Sequence, residues 1–148
     1  MVTDIAGLKE QVGEHLGYTE WREIDQDRVN LFADATDDHQ WIHVDTEKSA
    51  NGPFGGTIAH GYLTLSLAAP LMSELIEVTG VSMGINYGLD RVRFPAPVPV
   101  GSRIRAGGEI AEVTDVPGGV QAKLVITFEV EGGEKPACVA EVLVRYYG

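Results

Sequence analysis

Several things are scarce in this chain. It has one cysteine, Cys138, so no internal disulfide can form and a reducing compartment, the cytoplasm, is expected. Basic residues are few: 11 Lys and Arg stand against 22 Asp and Glu, a net charge of −11. So acidic a chain lacks the basic face that nucleic-acid binding needs. Any anionic ligand must then be met by a local group of cations rather than by the overall field. No run of about 18 uncharged apolar residues is present, so no membrane-crossing helix is expected. The first residues, MVTDIAGLKEQVGEHLG, contain no apolar core of a secretory signal. Repeats, low-complexity tracts and linker-like stretches are absent too. A length of 148 residues and 44% hydrophobic content then point to one domain over 1–148 with one core.

What is present falls into two halves. Ile5, Leu8, Val12 and Leu16 recur at helical spacing, which predicts a helix over 3–16 stopped by Gly17. Tyr18 to Ile24 is a short candidate strand. Asp25 is placed as the N-cap of a second helix reaching Thr36, and Asp45 as the N-cap of a short one. The punctuation of Asn51 to Gly56 marks a loop. Gly61 to Thr79 predicts one long helix, apolar on nearly its whole circumference and so buried on all sides, with a kink at Pro70. After Gly80 the pattern turns to β-branched residues, with strands predicted over 81–93, 102–115, 119–132 and 137–147. Short helices, one long apolar helix and four antiparallel strands give an α+β class. The favoured architecture is a hot dog, an antiparallel sheet wrapped around a central helix. A cone-shaped barrel with helices at one mouth is the rival.

The chemistry concentrates in Phe32 to Leu65, which holds three of the four histidines. Asp38 and His43 lie five residues apart in Asp38-His39-Gln40-Trp41-Ile42-His43. A carboxylate and an imidazole together can move protons. His60-Gly61 follows at the start of the long apolar stretch, where free backbone N–H groups can stabilise a developing negative charge. No His, Cys or Asp grouping has zinc spacing, and the glycine-rich loop at 52–56 lacks the lysine of a phosphate loop. Neither a metal nor a cofactor is expected.

The run Ala35-Thr36-Asp37-Asp38-His39-Gln40-Trp41-Ile42-His43, followed by Ala59-His60-Gly61, resembles the signature of the MaoC-like (R)-specific enoyl-CoA hydratases and dehydratases. Asn86 to Val98 resembles a strand-and-turn segment of the same family. The resemblance implies a hot-dog fold, a homodimer and action on acyl thioesters of coenzyme A. It places the catalytic pair on Asp38 and His43 and the oxyanion donor, a substrate-binding group, on the Gly61 N–H. Gln40 is read separately as contacting either substrate or the catalytic loop. Asp37 departs from the pattern, since the family usually has glycine there. Aspartate is among the better replacements where φ is positive.

Other residues carry plainer expectations. His15 is read as a surface residue of the first helix and His39 as solvent-exposed. His60 is read first as a structural hydrogen-bonding residue, with orienting the loop or contacting substrate as the alternatives, Trp41 as a packing anchor and Cys138 as a buried strand residue. Arg91, Arg93, Arg103 and Arg105 are either solvated strand faces or a patch for nucleotide phosphates. Two other functions compete: a hot-dog thioesterase, and a non-catalytic acyl-binding partner subunit. The acid/base pair together with Ala-His-Gly argues against both.

Overall fold

The computed structural model describes residues 1–148. Its elements are β1 (Val2–Thr3), α1 (Ile5–Glu10), β2 (His15–Tyr18), β3 (Arg22–Glu23), α2 (Gln26–Thr36), α3 (Trp41–Val44) and α4 (Thr46–Ala50). They continue as α5 (Gly61–Ser66), α6 (Ala68–Leu75), β4 (Glu77–Val78), β5 (Met83–Arg93), β6 (Arg103–Val116), β7 (Gly119–Val130) and β8 (Cys138–Tyr147).

The main sheet runs β2-β6-β7-β8-β5, with β3 also paired to β6. All of these pairings are antiparallel. β7 shows why the sheet forms. Val120, Ala122, Leu124, Ile126 and Phe128 are buried, and the residues between them are half-exposed. That is the period of two expected of a strand with one face on a core. The four predicted strands match β5 to β8 to within about two residues, the usual uncertainty of strand ends.

The sheet's inner face receives α5 and α6 through Leu63, Ala68, Leu71, Met72 and Leu75. Gly108 lets them come close, because a Cβ there would lie 2.8 Å from the Met72 sulfur. This is the α+β hot-dog arrangement, corrected in three respects. The helical stretch stops at Leu75 instead of reaching Thr79, and Glu77–Val78 form β4, paired in parallel with β1. The central helix is two helices, and the break falls at Leu67 rather than at Pro70. Proline has no N–H to give to the carbonyl four residues earlier, and its ring crowds that carbonyl. The helix therefore ends at Ser66 and restarts with Pro70 in its first turn, where no intrahelical donor is needed. Nor is the pair buried on all sides. Tyr62, Ala69, Pro70, Ser73 and Glu74 are exposed, because the sheet curls over one side only.

The N-terminal helix is shorter than the sequence pattern predicts. Gly13 at φ 93° ends the turn that follows α1. His15 to Tyr18 then pair with β6, so His15 is an exposed strand residue and not a helical one. Sheet pairing satisfies backbone groups that a frayed helix end would leave to water.

Candidate active site

The Asp25 carboxylate accepts from the Arg28 N–H at 2.8 Å and starts α2. At the other end Asp37 sits at φ 59°, ψ 23°, and no other non-glycine residue has positive φ. The position that the family fills with glycine does demand the left-handed region, and aspartate supplies it. The reversal turns the chain out of α2 and presents Asp38 at the surface. Asp45 caps α4, accepting from Lys48 N–H at 3.0 Å. These two capped helices bracket α3, which carries His43.

His43 is only 7% exposed. Its Nδ1 lies 2.7 Å from the Ile58 carbonyl, which can only accept, so Nδ1 carries the proton and Nε2 keeps a free lone pair. Burial pushes the His43 pKa below the ordinary imidazole value, helped by His60, while the Ile58 bond and Asp38 oppose the shift. The ring is thus held neutral with a basic nitrogen exposed to the site.

His60 is 3% exposed and stacks on His43, with centroids 3.9 Å apart and planes at 24°. Phe32 covers it at 4.8 Å. Its Nε2–H donates to the Asp38 carbonyl at 3.0 Å, as the structural reading of this residue anticipated. Its Nδ1 is buried without a partner. One ligand-type atom each from Asp38, His43 and His60 lie within 4.8 Å of one another. Three such groups invite a metal, but the set does not fit one. Stacked rings send their lone pairs side by side rather than to one point. One nitrogen of His60 is committed to a carbonyl, and the other is sealed away. The donor set suits proton transfer.

Gly61 is the first residue of α5, so its N–H has no intrahelical acceptor. The helix has six residues, so it offers free first-turn donors rather than the dipole of a long helix. Gly61, Thr64, His43, Phe94 and Val98 line a cavity of ≈ 290 Å³. A Cβ on Gly61 would meet the Phe94 ring at 3.1 Å. Gln40 is exposed at the N-cap of α3, with its backbone N–H 3.4 Å from the Asp38 carboxylate.

The remaining expected residues stand apart. His39 is exposed and paired with Asp34 at 2.9 Å. Trp41 packs over Gly52, with Lys48 on its ring. Cys138 is buried, and burial pushes its thiol up to about 11. Arg103 and Arg105 pair across strands with Glu131 and Glu129, which answers to the solvated-face reading of those two. Gln26 has a part that the sequence did not announce. Its Nε2–H donates to the His43 carbonyl at 2.7 Å, and its Oε1 accepts from the Thr57 hydroxyl at 2.7 Å. A glutamine in the first turn of a helix is ordinary, and only the fold brings it to His43.

A carboxylate and a buried imidazole near free helix-start donors, on a sheet wrapped over a helix, are the features of a hot-dog domain. Residues 8–130 match the family model described as "MaoC like domain", and the chain belongs to that family. It is 57% identical over 143 residues to the 3-hydroxyacyl-thioester dehydratase Z of Mycobacterium tuberculosis, covering 96% of this chain and 95% of that protein. It is 32% identical over 124 residues to the 3-hydroxybutyryl-CoA dehydratase of Methylorubrum extorquens, 84% of this chain and 74% of that one. Among solved structures it resembles the (R)-hydratase from A. caviae involved in PHA biosynthesis. The TM-score is 0.75 at 27% identity, over 90% of this chain and 94% of that one.

Proposed function

We propose that this chain is an (R)-specific enoyl-CoA hydratase, adding water reversibly and syn to a trans-2-enoyl-CoA to give a (3R)-3-hydroxyacyl-CoA. The observation that carries the reading is the 2.7 Å contact of His43 Nδ1 with the Ile58 carbonyl: it commits the Nδ1 proton and leaves Nε2 as the basic nitrogen of a ring that has a ligand-type atom within 4.8 Å of one on Asp38. Between them the two residues hold one water. His43 takes a proton from it as its oxygen bonds to Cβ, and a proton passes through the pair to Cα on the same face. The proton that His43 takes from water and the one delivered to Cα are exchanged within this pair, so no further acid is required. The enolate charge on the thioester oxygen falls to the Gly61 N–H. Gln40 borders the substrate at the exposed side.

For the acyl chain the fold offers an apolar cavity of ≈ 510 Å³, lined by Ala68, Met72, Ile76, Leu124, Ile126 and Val142 on the helix pair whose first residue, Gly61, lines the cavity at His43.

The same reading includes a homodimer. β5 is an edge strand, and its Met83, Ile85, Tyr87 and Leu89 are between 44% and 56% exposed. Such an edge needs covering, and a second copy supplies the same apolar strand. Sedimentation at micromolar concentration is expected to show a dimer, and a clean monomer removes that part.

The test of the reaction is turnover of 2-enoyl-CoA substrates of increasing length, with the product's chirality determined. Formation of the (3R) alcohol is expected. Release of free thiol without hydration would make the protein a thioesterase and end this reading.

A further inference from the structure

His60 occupies a slot in which histidine is a costly choice. His43 stacks on it at 3.9 Å, Phe32 lies tilted against it at 4.8 Å, the residue is 3% exposed, and Nδ1 has no partner. An unpaired buried acceptor is destabilising, and a phenylalanine would fill the same aromatic slot without one. What phenylalanine cannot do is donate from Nε2 to the Asp38 carbonyl. That bond matters because little else fixes Asp38. Its side chain is exposed, and its contact with the Gln40 N–H is long at 3.4 Å. The residue also directly follows the left-handed Asp37, where the chain leaves α2. His43, by contrast, is fixed independently by Ile58 and Gln26.

Resting on the hydratase reading above, we propose that His60 is the positioning residue that sets Asp38 against His43. It stacks on the imidazole with one face and holds the main chain of the carboxylate with its edge. Because it is also the N-cap of α5, it ties both groups to the adjoining Gly61 N–H. Acid, base and anion donor then share one rigid piece, the arrangement that keeps reacting groups in register.

Two variants separate the parts of this role. His60→Phe keeps the aromatic slot filled and deletes the donor. His60→Gln keeps a donor at the reach of Nε2 and deletes the ring. For His60→Phe, kcat is expected to fall at least about tenfold, with KM within about threefold, the scale of a misaligned reacting group. Its melting temperature should equal or exceed that of wild type. His60→Gln should recover part of kcat while melting lower. In an Asp38→Asn background, adding His60→Phe should cost almost nothing more, since the group it positions is already disabled.

A His60→Phe protein with wild-type turnover overturns the proposal. So does a loss fully additive with Asp38→Asn, or a chain that fails to fold, since histidine then supports the fold rather than the pair. Imidazole 15N spectra of the substrate-free protein supply a readout that needs no turnover. His60 should be protonated at Nε2 and His43 at Nδ1. A His60 protonated at Nδ1 overturns this proposal and leaves the reaction intact. Correct tautomers in a protein that hydrates no enoyl thioester would instead remove the reaction and leave the positioning geometry standing.

Discussion

The sheet and the layer that carries the candidate site are held together by different means. In β7 every second side chain is apolar and buried, and its neighbours β6 and β8 present Ile104, Ala106, Ile110, Cys138 and Ala140 to the same core. Between Gln26 and Gly61 the buried residues include His43, Ser49, Thr57 and His60, and hydrogen bonds fix their positions. Apolar burial is non-directional, so it stabilises the fold while tolerating small displacements. Hydrogen bonds are directional and add little net stability, but they specify where atoms sit. Damage to the sheet should therefore register first in stability, and damage to the site layer first in turnover.

The largest effect is expected in the sheet. Phe128 is fully buried, and truncation to alanine removes a large side chain from a packed interior. A cost of about 3–5 kcal/mol follows, with a melting temperature lower by roughly 10 °C. What stays folded should turn over normally. If the melting temperature holds and turnover collapses, the contrast between the two regions fails.

In the site layer the order reverses. Asp38→Asn and His43→Gln should each lower turnover by at least ~10², the usual scale for a lost acid or base. The melting temperature of Asp38→Asn should hardly change, because that carboxylate is exposed. Near-wild-type turnover in either folded variant takes that residue out of the mechanism.

The same contrast decides what was legible in the sequence. Runs of β-branched residues between turn signals are a local pattern, so β5 to β8 could be read directly, although only β7 buries every second side chain and β5 is exposed almost throughout. The caps Asp25 and Asp45 were legible because a capping side chain acts within three residues of itself. So was the left-handed Asp37, through the glycine that the family places there. The break at Leu67 was misplaced because Pro70 acts four residues upstream, on Ser66. Short β2 escaped notice because what makes it a strand is β6, about ninety residues away. The Gln26–Thr57–His43 link spans three elements, and no spacing rule encodes it. Asp38 and His43 could be found as types at a spacing, but the tautomer of His43 could not, since Ile58 sets it.

The smallest effect expected is on stability as a function of pH, and it sets one buried histidine against one exposed histidine. Burial lowers the His43 pKa in the folded protein, and unfolding returns it to about 6.5. Between the lowered value and about 6.5, the unfolded chain binds a proton that the folded chain refuses. Stability from His43 is therefore complete above about 6.5 and is lost as pH falls toward the lowered folded value. His39 runs the other way. Its bond to Asp34 raises its folded pKa, so its contribution is complete below about 6.5 and fades as pH rises through the raised value. The exposure of both partners to solvent keeps that contribution small. Urea midpoints measured from pH 5 to 8 should therefore climb on the acid side and decline gently on the alkaline side. His39→Gln should flatten only the alkaline decline, and His43→Gln only the acid rise. An acid rise that survives in His43→Gln would mean that another group is refusing the proton, and the neutral, buried His43 on which the proposed chemistry depends would lose its support.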